Sequence, residues 1–395
     1  LKSDKIESEL ISDNDIMENS LNFNLYSNDL SINLNSTVYE NLDERNNDRY
    51  EYILPRVSFI KNFGNLGNLN GNFTIDSDTL IRQYDTNILE KRNINNFIFN
   101  SNSKSNKFGF LNSHAFLIKN TNSENKNTTY KNKKNFYLSG VYQFNSSLPL
   151  IKENENFQNI FKPKLSFKAA PNHTKDDRNT ESKIDLTNIY SIDRATDDTS
   201  IEGGLSVAYG FDYSISEKLK TKEIFNLKLA NNFRFEENED LSNSNQIGEK
   251  TSNIFNEMTF NPNNFLTTKY ISSIRNNIKD IEYENLISEF KINNFVTTFD
   301  YLNENNTSDK NSYLSNITSY TLDKSNSLSF KTRKNKTKDL TEYYNFMYQY
   351  KNDCLAASIE YNKEFYNDRD LKPSENLFFK ISILPFGGFN TPNLK

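Results

Sequence analysis

The segment Ser20-Leu-Asn-Phe-Asn-Leu-Tyr26 alternates polar and apolar side chains along its length. Successive side chains of a β-strand point to opposite faces, so Leu21, Phe23 and Leu25 share one face and the asparagines share the other. About twenty segments show this period, and each is near the ~9–11 residues that cross a membrane as a tilted strand. Clear examples are Leu30–Leu34, Phe136–Phe144, Glu202–Tyr213, Glu223–Phe235, Phe290–Tyr301, Thr341–Tyr350 and Glu375–Leu384. The pattern predicts an all-β chain with very little helix.

The composition fits a large β protein with polar loops. The 395 residues include 31 Phe and 22 Tyr but no Trp, and the mean hydropathy is −0.79. Disordered chains are poor in aromatic residues, so disorder is disfavoured. No apolar window is long enough for a transmembrane helix. The 47 basic and 52 acidic residues are well mixed, so there is no basic stripe for nucleic acid.

Connections in the last third of the chain are predicted to alternate between short turns and longer polar loops. Lys351–Asp353 and Asp323–Ser325 are expected to be short, whereas Lys331–Leu340 and Glu236–Lys250 are expected to be long. Outer-membrane barrels have short periplasmic turns and longer external loops, with an apolar band facing lipid and a polar interior. We therefore predict a large antiparallel transmembrane outer-membrane β-barrel over residues 1–395. A soluble β-sandwich or adhesin is the alternative on pattern alone.

Three blocks and one short strand are similar to a known family. The blocks are Phe161–Phe167 with Asn188–Arg194 and Glu202–Tyr213, then Tyr344-Asn-Phe-Met-Tyr-Gln-Tyr-Lys-Asn-Asp-Cys-Leu355, then Leu377-Phe-Phe-Lys-Ile-Ser-Ile-Leu-Pro-Phe-Gly387, and the short strand is Leu54-Pro-Arg-Val57. Together they resemble the C-terminal barrel of the lipopolysaccharide-assembly family LptD, also called OstA or organic solvent tolerance protein. The Asn-rich loops match nothing in the family.

The resemblance implies a function in the bacterial outer membrane. The alternating pattern gives about 20 strands, whereas family barrels have about 26. We therefore expect the first strands before Leu1, together with a signal peptide and a periplasmic N-terminal domain. The implied function is insertion of lipopolysaccharide into the outer leaflet. The implied partners are lipopolysaccharide, the plug lipoprotein LptE, the periplasmic LptA bridge reached through the N-terminal domain, and the barrel-assembly machinery. A porin or substrate-specific diffusion channel is the alternative.

A charged, glycine-containing group stands out within the first block. It consists of Asp193, Arg194, Glu202, Gly203 and Gly204. One hypothesis is a salt-bridged cluster that shapes the passage for lipopolysaccharide, and the other is an ion pair that fixes neighbouring strands. The glycines suggest a bulge or a close approach of two backbones.

Cys354 follows a predicted turn at the start of the penultimate strand. A lone cysteine is most often a small buried residue. The resemblance implies instead a disulfide with the periplasmic N-terminal domain, whose cysteine lies outside this sequence.

A cluster of cations directly precedes the alternating segment Thr341–Tyr350. Its members are Lys331, Arg333, Lys334, Lys336 and Lys338. If the segment is an external loop, these cations are candidates for contacts with lipopolysaccharide phosphates. A solvated loop is the simpler interpretation.

The final strand is expected to form one side of the seam through which the family releases its substrate. Its candidate residues are Phe379, Ile381, Ile383 and Pro385. Pro385 removes a ladder donor, which suits weak pairing, but proline also commonly ends strands.

Catalytic and metal-binding chemistry are not predicted. His114 and His173, the only two histidines, have no second ligand at metal-binding spacing. The sequence has no Gly-x-Ser-x-Gly elbow, and its carboxylate pairs are adjacent loop residues. We therefore expect no enzyme activity, no metal and no cofactor.

Overall fold

The computed structural model describes residues 16–42, 49–65, 70–84, 88–126, 134–171, 177–178, 183–194, 199–219, 222–242, 244–305, 310–365, 373–383 and 387–390. These residues form strands joined by turns, together with a single 3₁₀ turn at Ser244–Gln246. No helix in this part of the chain is long and apolar enough to cross a membrane.

Twenty-two strands make up the described sheet. They are β1 (Ile16–Tyr26), β2 (Leu30–Asn41), β3 (Tyr50–Asn65), β4 (Gly71–Tyr84), β5 (Ile88–Ser101), β6 (Lys104–Ser105), β7 (Leu111–Lys126), β8 (Lys134–Ser147), β9 (Leu150–Glu153), β10 (Phe157–Ala170), β11 (Gly204–Glu217), β12 (Lys222–Arg234), β13 (Ile254–Phe260), β14 (Leu266–Ile274), β15 (Ile281–Ile292), β16 (Phe295–Asn305), β17 (Lys310–Thr321), β18 (Asn326–Asn335), β19 (Leu340–Lys351), β20 (Leu355–Glu364), β21 (Ser374–Ile383) and β22 (Gly387–Asn390).

The strands form one antiparallel meander, in which consecutive long strands pair with each other from β1 to β22. The two-residue β6 pairs with β7, so β5 also pairs directly with β7. Both β8 and β9 pair with β10, which makes β9 a continuation of β8 beyond an interruption at 148–149. The all-β, antiparallel prediction is confirmed, and the number of long strands is near the expected twenty.

The two faces of the sheet differ in burial. Along β7, Leu117, Lys119 and Thr121 are buried, whereas the alternate residues Phe116 and Ile118 are 47% and 50% exposed. We call the face of Leu117, Lys119 and Thr121 the inner face, and the face of Phe116 and Ile118 the outer face. The outer face carries many exposed large apolar side chains, as predicted for the apolar side of an amphipathic sheet.

The core lies between the inner face and chain segments folded onto it. We call residues 183–194, 199–203, 235–242 and 244–253 the inner segments. Ile184, Ile189, Leu241 and Ile247 from these segments pack with Ala208, Ala230 and Phe255 of the sheet. Ile201 packs with Leu117 and Val141 in a second cluster. A second sheet is therefore not needed to cover the inner face of β7–β15.

The connections at the two ends of the sheet differ in length. Turns at 27–29, 293–294 and 352–354 lie at one end, which we call the first end. The connections 171–203 and 235–253 lie at the opposite, second end, and they contain the inner segments. The two longest connections therefore lie at the second end, whereas the first end has the nine-residue connection 102–110, which contains β6.

The predicted long loop Lys331–Leu340 is wrong. Strand β18 continues to Asn335, and only 336–339 connect it to β19. The sequence was misleading because cations need not end a strand when one sheet face is polar. Here Arg333 lies in the strand with its guanidinium 5.3 Å and 5.7 Å from the ring centres of Tyr313 and Tyr343.

Candidate functional site

The candidate site is the contact between the inner segments and the inner face. Local turn chemistry shapes the first of these segments. The carboxylate of Asp185 accepts hydrogen bonds from the backbone N–H groups of Thr187 and Asn188, and Asn188 returns a side-chain acceptor to the Asp185 N–H. Such Asx turns reverse the chain without helix or strand. The turn brings Ile189 and Arg194 against the sheet.

Glu202 is the centre of a buried ion cluster. Arg194 binds it in a bidentate manner, with Nε 2.7 Å from Oε2 and a terminal nitrogen 2.9 Å from Oε1. The Lys168 ammonium lies 3.2 Å from Oε2, and Arg234 donates to Oε1. All four side chains are between 1% and 3% exposed. Lys168 belongs to β10 and Arg234 to β12, so one carboxylate connects an inner segment to two strands.

The guanidinium of Arg194 uses its remaining donors on other buried groups. It donates to the Ile189 carbonyl at 2.6 Å, to Ser206 Oγ at 3.0 Å and to Asn232 Oδ1 at 2.8 Å. Arg234 also donates to the carbonyl of Gly203. Because buried donors without partners are costly, these hydrogen bonds of Arg194 favour one arrangement of the inner segment 183–194.

Gly204 makes the close approach possible. Its φ is +89°, a conformation that favours glycine, and a Cβ placed there would lie 3.1 Å from a terminal nitrogen of Arg234. The glycine thus lets the backbone turn from the inner segment into β11 directly beside the cluster.

The Glu202 carboxylate is ionised in the folded protein. Burial alone would raise the pKa of Glu202, but the charges of Arg194, Lys168 and Arg234 outweigh burial and hold the pKa well below its ordinary value. Asp193 makes a separate pair with Lys119 of β7 at 2.6 Å, and Lys119 also donates to the Ser200 carbonyl at 3.1 Å. Asp193, Arg194 and Glu202 therefore contact four strands, β7, β10, β11 and β12.

A second anchor, which the sequence analysis did not identify, holds the inner segment 244–253. Asn253 Nδ2 lies 2.8 Å from the carboxylate of Glu282, and the Asn245 N–H lies 3.1 Å from the same carboxylate. The Asn245 side chain donates to the Ile184 carbonyl at 2.7 Å, so the inner segments 244–253 and 183–194 are joined. The abundance of asparagine throughout the chain concealed these residues, because nothing in the sequence distinguishes them from loop asparagines.

Two recesses adjoin the inner face. A cavity of about 420 Å³ lies between the inner segments and the inner face near β13–β16, and its apolar lining includes Leu186, Phe255, Ile271 and Leu302. A polar recess of about 620 Å³ lies on β1–β4 and is lined by Asn22, Asn33, Asn35, Arg56, Asp78 and Arg82 among others. The inner segments leave this second recess uncovered.

The predicted cation cluster is divided between a strand and a turn. Lys331, Arg333 and Lys334 are strand residues, and Arg333 pairs with Glu342. Lys334 pairs with Asp339 at 2.6 Å. Only Lys336 and Lys338 lie in the connection at the second end. The five cations therefore do not form one external loop.

The remaining predicted residues lie at the first end or near it. Cys354 is exposed in the turn before β20, so the alternative of a small buried residue does not apply. Its N–H donates to Asn352 Oδ1 at 3.0 Å within that turn. The β21 residues Phe379, Ile381 and Ile383 are exposed on the outer face. Pro385 lies outside the described residues.

The described residues contain no group of three His, Cys, Asp or Glu side chains placed to hold a metal ion. The Glu202 cluster has its carboxylate fully engaged by cations and is closed to solvent. The cluster therefore attaches the inner segments 183–194 and 199–203 to the sheet.

No family model matches the chain, and no curated protein matches it. Solved structures give low-identity similarities. The siderophore receptor PirA from Acinetobacter baumannii is 10% identical, over 95% of this chain and 72% of that chain, with a TM-score of 0.43. A mutant ferric enterobactin receptor PfeA from Pseudomonas aeruginosa, in complex with enterobactin, is 9% identical over 93% and 70%, with a TM-score of 0.40. At these values the similarity gives no information about ligand or function, and the architecture above rests on the strand pairing.

Proposed function

We propose that this chain is a large part of a β-barrel in the bacterial outer membrane. The support is the contrast between the two faces: Phe116 and Ile118 of β7 are 47% and 50% exposed on the outer face, whereas Leu117 and Lys119 are buried on the inner face. An apolar face of this extent in water would be an aggregation hazard, but it is the face that lipid requires. The second end, with the long connections, is then external.

We further propose that the barrel assembles lipopolysaccharide into the outer leaflet. The substrate comes from the resemblance of the Phe161–Phe167, Tyr344–Leu355 and Leu377–Gly387 blocks to the LptD family. The observation that carries the proposal is the polar recess on β1–β4, whose amide and charged side chains suit sugar hydroxyls and phosphates. The inner segments occupy the other part of the interior, so a large polar headgroup would pass beside β1–β4.

A diffusion channel is less well supported, because the inner segments fill the interior along β7–β15 with buried apolar and polar side chains. A porin needs a continuous water-filled path through the same region. LptE, the LptA bridge and the barrel-assembly machinery remain the partners that the resemblance implies. The exposed Cys354 is available for the implied disulfide with the N-terminal domain, and loss of a crosslinked band for Cys354→Ser on non-reducing gels of the full-length protein would support that pairing.

The decisive test is depletion of the full-length protein in its own bacterium. The measurement is the fraction of newly made lipopolysaccharide that becomes accessible to a surface-restricted modifying enzyme. We expect that fraction to fall while uptake of small sugars stays unchanged, and a copy of the wild-type gene should restore it. Unchanged surface lipopolysaccharide with reduced sugar uptake would contradict the proposal and favour the channel.

A further inference from the structure

The outer face of β4, β5, β7 and β8 is layered by chemistry. The strand register aligns outer-face side chains into rows that run across the four strands. From the first end toward the second, the rows are Phe73/Phe99/Phe116/Tyr142, Ile75/Phe97/Ile118/Gly140, Ser77/Asn95/Asn120/Leu138, Thr79/Asn93/Asn122/Phe136 and Ile81/Lys91/Glu124/Lys134. The first two rows are aromatic or aliphatic apart from Gly140. The next two carry amides and hydroxyls on β4, β5 and β7 beside Leu138 and Phe136 of β8, and the last carries three charged side chains beside Ile81.

The amide rows form a connected network. Ser77 Oγ donates to Asn95 Oδ1 at 2.7 Å, and Asn95 Nδ2 donates to Asn93 Oδ1 at 2.6 Å. Asn93 Nδ2 donates to Thr79 Oγ1 at 2.7 Å, and Asn122 Nδ2 donates to Asn120 Oδ1 at 2.7 Å. The network fixes the amides in place on the outer face, next to the apolar rows nearer the first end.

The charged row has an excess of cation. Lys91 and Lys134 both flank Glu124, at 3.7 Å and 3.9 Å, and their side chains are 46% and 82% exposed. Separations this long in exposed side chains bind weakly, so the ammonium groups are available to another anion. A groove of about 340 Å³ runs along this row and the adjacent amide row, lined by Thr79, Ile81, Lys91, Asn93, Asn122 and Lys134 among others.

We propose that this surface, which we call the outer amide patch, binds the sugar-phosphate headgroup of a glycolipid in the outer leaflet. The patch comprises Ser77, Thr79, Lys91, Asn93, Asn95, Asn120, Asn122 and Lys134. The acyl chains contact the Phe and Ile rows, the sugar hydroxyls contact the amide rows, and a phosphate accepts hydrogen bonds from the ammonium groups of Lys91 and Lys134 on the sides that do not face Glu124. The order of the rows matches the order of these parts in an amphiphile whose headgroup faces the second end. The inference rests on the proposed outer-membrane location and the external second end, but not on lipopolysaccharide export.

The test uses the full-length protein in detergent, with hexa-acylated lipid A carrying two phosphates as the probe and native mass spectrometry as the readout. Asn93→Leu/Asn122→Leu should weaken binding about tenfold, the factor expected for about two lost hydrogen bonds. Lys91→Gln/Lys134→Gln should weaken binding of the bisphosphorylated lipid but not of the dephosphorylated lipid. The matched control is Asn316→Leu/Thr318→Val, which removes another outer-face amide and hydroxyl from β17 without nearby lysine pairs, and it should bind as wild type.

Three results would overturn the inference. Equal binding by wild type and both patch variants would show that the patch does not contact the headgroup. An equal loss for phosphatidylglycerol would indicate charge attraction without sugar recognition. Loss of self-association in the patch variants, with lipid binding intact, would identify the patch as a contact between two copies. Binding is measured on purified protein, whereas depletion tests lipopolysaccharide export in cells. A negative depletion result would therefore not affect the interpretation of the binding measurements.

Discussion

Glu202→Gln tests the buried ion cluster directly, because it removes one charge and almost no volume. The wild-type carboxylate contacts Arg194, Lys168 and Arg234, and all four side chains are at most 3% exposed. The variant leaves three buried cations without a counterion. Breaking a buried pair in this way typically costs about 3–5 kcal/mol. We expect the free energy that attaches residues 199–203 and 183–194 to the sheet to fall by that amount.

Hydrogen exchange of the detergent-solubilised protein measures this attachment locally. A loss of about 3–5 kcal/mol raises the open population of the inner segments roughly 10²–10³-fold or more, since each 1.4 kcal/mol is a factor of ten. Amides of 199–203 should lose protection accordingly, while those of β19 should not change. In planar bilayers the variant should also give larger conductance steps, because the detached segments no longer fill the interior.

Glu257→Gln is the matched control. Glu257 also faces two lysines, Lys228 at 2.7 Å and Lys269 at 3.2 Å, but the lysine side chains are 40% and 41% exposed. Water screens such pairs, so the expected loss is below about 1 kcal/mol. Equal effects of the two substitutions on exchange would show that burial does not make the Glu202 cluster the principal anchor.

Three further outcomes follow from the surroundings of Glu202, Gly210 and Arg333. The pKa of Glu202 lies well below its ordinary value in the folded protein, so the stabilisation by its carboxylate is fully present above the unfolded-state pKa and is lost as the pH falls through the folded-state pKa. Hydrogen exchange of residues 199–203, corrected for intrinsic rates, should therefore stay constant from neutral pH to about pH 5 and accelerate only in stronger acid. Glu202→Gln should abolish that acid-dependent acceleration. Gly210→Ala should destabilise the protein by about 1–3 kcal/mol in urea titrations, because the new Cβ would lie 2.0 Å from the Leu229 carbonyl oxygen and 2.7 Å from the Tyr190 hydroxyl, whereas Gly140→Ala, whose nearest atom is 3.7 Å away, should change stability by no more than about 0.5 kcal/mol. Arg333→Lys should lose about 1 kcal/mol by the same titration, because lysine keeps the charge near Glu342 but not the planar stacking against Tyr313 and Tyr343; an unchanged midpoint would show that the stacking contributes nothing.

The strand pattern was predictable because a sheet with one apolar and one polar face requires polar and apolar residues to alternate along each strand. Leu21, Phe23 and Leu25 do lie on β1, and the alternation through Glu202–Tyr213 corresponds to β11, which begins two residues later at Gly204. Strand ends were less predictable. Lys331, Arg333 and Lys334 look like a loop by charge, but the polar inner face and the ion pairs to Glu342 and Asp339 keep them in β18.

The candidate site was predictable only in part. Arg194 and Glu202 are eight residues apart, and their charges suggested a pair, which the structure contains. Lys119, Lys168 and Arg234 come from strands far away in sequence, so their convergence depends on the curvature of the sheet and on the path of the inner segments. Hydrophobic period carries no information about either. The amide rows of the outer face likewise depend on register, which is set by pairing between strands.

In the proposed arrangement, the sheet is an outer-membrane barrel wall whose second end is external. Strand β18 offers both ends for one labelling experiment: Lys324→Cys lies at the first end and Lys336→Cys at the second, each at an exposed position. Each substitution is made in full-length protein with Cys354→Ser, and a membrane-impermeant maleimide is applied to intact cells. We expect Lys336→Cys to be labelled at once and Lys324→Cys only after the outer membrane is permeabilised. Equal labelling of both positions on intact cells, or labelling of Lys324→Cys alone, would contradict the account.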